Sequence, residues 1–452
     1  MKKITLLLLI TVTSFQFLQA QDDPIESAFK SAFEGDNVFN SNLGLTSIDG
    51  QNFFGMRLQP EFSFGKFGLG LDIPLLFNLE TGDIRKEEFE QGAGLLRMIR
   101  FLRYGNKNID PFYAKIGDLT GERLGFGNLV GNYTNATSFE RRKVGASVSI
   151  LIKKMVGLEA IYSDLNFSGS QKMLALRPFI KPFGRTNIPI VKTIEVGASF
   201  VTDNDDFQEE GVDNRTTRFS ADGVSANGFD MGLSLLRTSL LNLRVDAQYS
   251  KISKIDLLAT ENPMADYDEG DGFSIGVETD FRFLANTIFM NARIERQWYS
   301  DNYIPQLFNF AYEINKDARL SELLTAKKSQ GIFGTLSAEI LQTVKIGGSL
   351  LIPDNLDEDD PDSRGAIVSV DLETKQIGRF KARGTYLKAG LNNLGDAFRL
   401  DERSLANLIV TYRIGKIFEA GVDYQWTFAA NESGKFIATN QVRPYVGVSL
   451  DF

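Results

Sequence analysis

The sequence predicts an all-β fold, one transmembrane antiparallel β-barrel of about 20 strands (roughly 16–20) with short turns at one end and long loops at the other. Three observations predict it. Apolar and polar residues alternate with period two over long segments. Short and long connections alternate down the whole chain. After residue 20 no apolar run is long enough for a transmembrane helix, which leaves a closed barrel as the way to cross a bilayer.

From the N-terminus, Met1-Lys2-Lys3 is a short positive stretch, Ile4 to Leu18 is mostly apolar, and Gln19-Ala20 precedes Gln21. This is the pattern of a secretory signal peptide over residues 1–20. Its removal takes away two lysines and no acid, so the net charge moves from −9 to −11. Residues 21–38 form a separate segment in which Ile25, Phe29 and Phe33 share one helical face. The barrel is expected over 39–452.

Strands are expected near 39–49, 51–64, 67–78, 89–104, 111–118, 141–153, 155–166, 172–182, 190–202, 228–238, 241–253, 271–283, 286–299, 330–341, 343–353, 365–374, 380–389, 404–414, 418–428 and 440–452. Alternation is clearest in four of them. Leu241, Leu243, Val245, Ala247 and Tyr249 oppose Asn242, Arg244, Asp246, Gln248 and Ser250. Phe273, Ile275 and Val277 oppose Ser274, Gly276 and Glu278; Ile288, Met290 and Ala292 oppose Asn291 and Arg293; Phe418, Ala420 and Val422 oppose Glu419, Gly421 and Asp423. Segments of this length suit tilted membrane strands. Phe64, Phe67, Phe283, Phe380 and Phe418 fall beside short turns, and Trp298, Tyr299, Trp426 and Phe428 fall at the start of long loops. Two interfacial girdles would produce that placement.

The last strand is the most telling. Val442, Pro444, Val446, Val448, Leu450 and Phe452 lie on one face, Arg443, Tyr445, Gly447, Ser449 and Asp451 on the other, and the sequence ends on Phe452. This resembles the closing strand of bacterial outer-membrane β-barrels, in which a terminal aromatic is part of the assembly signal. The resemblance is porin-like, spans the mature chain and is architectural. It implies outer-membrane localisation with both termini periplasmic, and residues 21–38 as a periplasmic or plug segment, too short for the plug domain of a TonB-dependent transporter. It also implies contact with outer-membrane lipid and lipopolysaccharide, folding by the barrel assembly machinery, and a homotrimer as the porin habit.

Composition narrows the chemistry. With no cysteine and no histidine, disulfide, thiolate and imidazole mechanisms are excluded, so no enzyme is expected. Net acidity argues against nucleic acid. The loop 119–140 carries Gly121, Gly125, Gly127 and Gly131 among apolar residues that would not favour water. It joins the fifth and sixth expected strands, where general porins fold a loop into the pore. On that resemblance Glu122, Arg123 and Glu140, with Arg141 and Arg142 beside them, are the candidate constriction. The bland alternative is an external loop packed on the rim.

Glu195, Arg244, Asp246, Glu278, Asp280, Arg282, Arg293, Glu295, Arg413, Glu419 and Asp423 fall on the predicted lumen face. Charges facing lipid cost about 2–4 kcal/mol each near the midplane, so a polar interior is where they belong. Mutual pairing across strands competes with a solute-facing role. Two acidic loops contain Asp266 and Asp268, and Asp357 and Asp359, as weak Ca²⁺ candidates against a reading of simple solvation. No other cofactor is expected. A helix is expected within 317–326, with Leu320, Leu323 and Leu324 on one side.

The leading expectation is a passive channel for small polar solutes or ions. A non-transport barrel serving as surface adhesin or envelope and secretion scaffold is the first alternative, carried by the long loops at 203–227 and 300–329. A transporter of hydrophobic compounds is the second, and the charged lumen face counts against it.

Overall fold

The computed structural model describes residues 38–48, 51–85, 98–107, 110–135, 143–165, 172–204, 221–257, 269–283, 287–309, 312–313, 316–341, 343–354, 366–391, 395, 397, 404–415, 418–430 and 436–451. The candidates Glu140, Arg141, Arg142, Asp266, Asp268, Asp357, Asp359 and Phe452 lie outside the described residues, as does the segment 21–37.

Twenty-one strand segments form one sheet. The first seven are β1 (Val38–Ile48), β2 (Gln51–Phe64), β3 (Phe67–Leu71), β4 (Ile73–Asn78), β5 (Ile99–Tyr104), β6 (Phe112–Gly117) and β7 (Gly145–Ile152). The next seven are β8 (Val156–Tyr162), β9 (Lys172–Ile180), β10 (Glu195–Asn204), β11 (Ala221–Arg237), β12 (Leu241–Leu257), β13 (Gly270–Phe283) and β14 (Ile288–Tyr299). The last seven are β15 (Ser329–Ile340), β16 (Val344–Pro353), β17 (Ala366–Thr374), β18 (Phe380–Leu391), β19 (Ser404–Ile414), β20 (Phe418–Ala430) and β21 (Phe436–Asp451). A helix, α1 (Lys316–Thr325), sits in the β14–β15 connection where the sequence predicts one.

Apart from β3 and β4, each strand pairs antiparallel with its sequence neighbours, and β3 pairs with β5. β3 and β4 both pair with β2 and are two halves of one strand interrupted at Asp72, which leaves twenty strands around the ring among the described residues. The ring closes where β1 meets β21, from Val38 opposite Asp451 to Leu43 opposite Val446. Closure leaves β1 and β21 without a bare edge, which hydrocarbon demands because no water is there to hydrogen-bond an open strand.

Short connections gather at one end of the ring. Gly65, Gly378 and Gly415 take positive φ there, the left-handed conformation that such turns need and that a Cβ disfavours. The outer face is apolar through its middle, with the ion pairs Arg296–Asp354 and Lys251–Glu269 only toward the long-loop end. Met231, Ile275, Ile294, Leu336, Val422 and Val446 are all exposed and point away from the lumen. Immersing such side chains in lipid is worth about 1.5–3 kcal/mol apiece. At the short-turn end Phe67 stacks edge-on to Tyr104 at 4.8 Å and Phe380 to Tyr412 at 5.1 Å. At the other end Phe273 stacks on Trp298 at 5.7 Å. These rings fall at the two expected girdles, but Tyr299, expected in the second, turns inward, where it is buried and stacks on Tyr303 at 5.1 Å, because it lies on the lumen side of β14. The barrel is transmembrane.

Candidate functional site

Period-two alternation makes the lumen polar, and the register decides which charges meet. Arg244 stands opposite Glu278, and Glu278 opposite Arg293. The Arg293 guanidinium donates to both Asp246 oxygens at 2.8 Å, reaches Glu278 at 3.4 Å and bonds Glu295 through Nε. Arg244 lies 3.3 Å from Glu278 and 3.9 Å from Asp280. Asn291 donates to Asp280 at 2.6 Å and Asn242 donates to it at 3.0 Å. Asp246, Glu278, Asp280, Arg293 and Glu295 are buried, so this is one closed network on β12–β14. Its charges pair with one another, as buried charges must.

Arg282 also faces inward, over the Phe289 ring at 5.5 Å. Glu195 belongs to a second cluster centred on Arg177 of β9, which the sequence reading did not single out. Arg177 is fully buried; its Nε donates to Asp230 at 2.9 Å and one Nη to Glu195 at 2.7 Å, while Glu159 lies 3.5 Å away. The rings of Phe179 and Phe126 sit 5.0 and 5.6 Å from the guanidinium. Gly125 and Gly197 form the slot: a Cβ at either would lie 2.5 Å from Arg177 Nε. Arg413, Glu419 and Asp423 lie apart from both clusters, on β19 and β20. There Arg413 bonds Gln376, and Asp423 accepts from Asn407 at 2.8 Å.

The connection between β6 and β7 folds into the lumen and follows its wall. Glu122 is buried and accepts from Lys107 at 2.6 Å and Ser147 at 2.9 Å. Arg123 reaches β13 and donates to both Glu278 oxygens at 3.3 and 3.4 Å. Gly125 N–H donates to Glu159 at 2.8 Å, and Asn128 N–H to Gln248 of β12 at 3.0 Å. Asn135 ties the base of the loop. Its oxygen accepts from Leu119 N–H at 2.8 Å and its amide donates to the carbonyls of Ser163 at 2.9 Å and Lys143 at 3.2 Å.

A second connection, between β14 and β15, lies against the first. Val130 and Phe308 form a parallel bridge, and Gln306 N–H donates to Asn128 O at 2.7 Å. Tyr133, Tyr303, Leu307, Phe308 and Tyr312 are buried in a core shared with Met173, Val201 and Ile252 of the wall. The tyrosine hydroxyls tie polar ends. Tyr312 donates to Asp203 at 2.7 Å, beside Lys316, and Tyr133 donates to Glu313 at 2.6 Å, beside Lys143. Burial, then the nearby Asp203 and Glu313 carboxylates, push the Tyr312 and Tyr133 phenols well above their ordinary range.

Among the described residues, nothing packs over the inward face of β17 and β18 in the same way. On β17 and β18, Asp371, Lys381, Arg383 and Thr385 are exposed although they face away from the lipid-side Val370 and Phe380. Among the described residues, the lumen is therefore padded along β7–β14, while the inward side chains of β17–β18 are exposed.

No family model matches the chain, and no curated protein matches it in sequence. Among solved structures it is similar to Wzi of Escherichia coli, described as a carbohydrate-binding outer-membrane β-barrel involved in group 1 capsule assembly. The identity is 11%, over 94% of this chain and 86% of that one, with a TM-score of 0.37. OpdQ of Pseudomonas aeruginosa gives 10% identity over 92% and 95%, TM-score 0.34, and the ferric citrate transporter FecA 11% over 92% and 79%, TM-score 0.40. Likeness at this level carries no argument about function, and the fold rests on the pairing, closure and apolar outer face. The chain is a β-barrel of the outer-membrane type.

Proposed function

We propose that this barrel is an outer-membrane channel for the passive passage of small polar solutes or ions, with the infolded β6–β7 connection as its constriction. The observation that carries this reading is the asymmetry of the lumen. Charges on the padded wall are spent on one another and on the loop, whereas Asp371, Lys381 and Arg383 remain exposed on β17 and β18. A path lined by hydrated charges on one side and narrowed by a rigid loop on the other suits small hydrophilic solutes. In this reading Glu122 and Arg123 shape the eyelet through the groups they hold, and the short-turn end with both termini faces the periplasm.

The test is single-channel conductance of the refolded protein in a planar bilayer, with reversal potential in a salt gradient. Stable open steps are the expected result. A folded barrel that gives no steps overturns the channel reading. A second reading has its own support: the aromatic core formed by the two infolded loops resembles the packing of a closed protein interior, which suits a non-conducting surface scaffold. Silence in the bilayer is what that reading expects.

A further inference from the structure

The connection 181–194 between β9 and β10 is the longest at the short-turn end, and it is well tied. Lys181 N–H donates to Met155 O at 2.6 Å, and Ser234 N–H donates to Thr193 Oγ1 at 2.9 Å. Lys192 N–H and Thr193 N–H close a helical turn onto Ile188 and Ile190 at 3.0 Å each. Yet Phe183, Ile188 and Ile190 are 45%, 58% and 45% exposed, beside the equally exposed Ile152 and Val156. An ordered segment that leaves its largest apolar side chains outside is built to meet something apolar.

Its charges have one sign. Residues 181–194 contain Lys181, Arg185 and Lys192 and no acid; Lys181 is paired with Glu195 at 3.1 Å, which leaves Arg185 and Lys192 as the outward cations of the segment. The segment lies on the β7–β8 turn, since a Cβ at Gly184 would be 1.8 Å from Lys154 O. That turn is Lys153-Lys154, closed by Met155 N–H to Ile152 O at 3.0 Å, with φ of 51° and 59°. Both lysines thus occupy the left-handed conformation of a type I′ hairpin turn, which Asn-Gly adopts without strain and a lysine does not. A strained backbone kept at the cost of an easier sequence points to a use for the side chains.

We propose that the Lys153-Lys154 turn and residues 181–194 form an interfacial site for an anionic glycerophospholipid, with Phe183, Ile188 and Ile190 among the acyl chains and the cations around the phosphate. Alternation of apolar and cationic side chains at a membrane boundary fits one lipid with a charged head and a greasy body. The inference depends on the transmembrane fold and is independent of whether the lumen conducts.

The chain has no cysteine, so Asn187→Cys carries a single bimane label at this site. The labelled barrel is placed in bilayers containing brominated phosphatidylglycerol or brominated phosphatidylcholine, and quenching gives the relative binding constant of each lipid. The expected preference for phosphatidylglycerol is at least about fivefold, the effect of a single cation near an anionic surface. Lys153→Asn/Lys154→Gly in the labelled background relieves the turn, so this variant folds at least as well, judged by heat-modifiable mobility, and loses most of the preference. Arg185→Gln/Lys192→Gln loses it likewise. Equal quenching by the two lipids in the otherwise unaltered chain overturns the proposal, and so does a preference that survives in both variants. Absence of quenching by either lipid places the segment in water or against a soluble protein and overturns it as well.

Discussion

Arg177 holds three carboxylates that have little water to turn to. Removing it as Arg177→Met leaves Glu159, Glu195 and Asp230 together without their common cation. The expected loss is about 3–5 kcal/mol, read as a lower urea midpoint for the refolded barrel. Arg177→Lys keeps the charge but not the fork, and falls between. An unchanged midpoint in Arg177→Met would mean that the three acids are hydrated and the cluster is not buried. The same residue shows where alternation stops being informative. In β9 the inward Met173 and Ala175 meet the infolded loops, while the outward Leu174 and Leu176 meet lipid, so both faces are apolar and the period-two signal vanishes around Arg177. In β12–β14 no such apolar lining exists at mid-strand. Asp246, Glu278 and Arg293 stand out there against Val245, Val277 and Ile294.

Among the elements, the β6–β7 connection depends on Asn135. In Asn135→Ala, Leu119 N–H and the carbonyls of Ser163 and Lys143 lose their partner, at a local cost of roughly 1–3 kcal/mol for buried groups left unmade. Hydrogen exchange of residues 119–135 should speed up while β12–β14 stays protected; protection unchanged in both would show that the loop is held by its apolar core instead. The tyrosines add a pH dependence. An unfolded tyrosine ionises near pH 10, but the raised Tyr133, Tyr303 and Tyr312 phenols stay protonated above that. The unfolded state therefore sheds protons first, and stability falls as pH rises past about 10. Tyrosinate absorbance in the folded barrel should lag behind that of the urea-unfolded chain across this range. The glycines of this loop and its apolar residues mark it in the sequence as unusual. Its course along the wall to Glu278 is not written in any local pattern, because Arg123 meets a strand far along the chain.

At the scale of the whole molecule, the outer face decides where the protein resides. Ile294, at the middle of β14, is 63% exposed and opposes Val277 and Gly334. Ile294→Lys puts a charge into hydrocarbon and is expected to cost about 2–4 kcal/mol in lipid bilayers, seen as a lower unfolding midpoint or failed insertion. A neutral outcome would mean that this face meets water. Strand number and strand order were legible from alternation and connection length, and most expected segments fall on the observed strands; the exceptions are 89–104, where the described strand starts only at Ile99, 190–202, whose first residues form a turn before Glu195, and 228–238, which begins seven residues earlier at Ala221. The break at Asp72 was not legible, since a single interrupted strand reads like an unbroken one.

Locally encoded properties were determined by the sequence itself. The inner and outer faces follow from residue spacing within each strand, the two ends of the barrel from the lengths of connections, and the absence of imidazole and thiolate chemistry from the lack of histidine and cysteine. Tertiary structure alone decided which inward charges are spent and which stay exposed. Arg177 finds Asp230 two strands away, Arg123 of the infolded loop finds Glu278 on β13, and Asp371 and Arg383 stay exposed among the described residues. The physical reason is that lipid sorts side chains by polarity, one residue at a time. Pairing inside the lumen depends on closure, which brings together residues whose separation along the chain carries no record of their meeting.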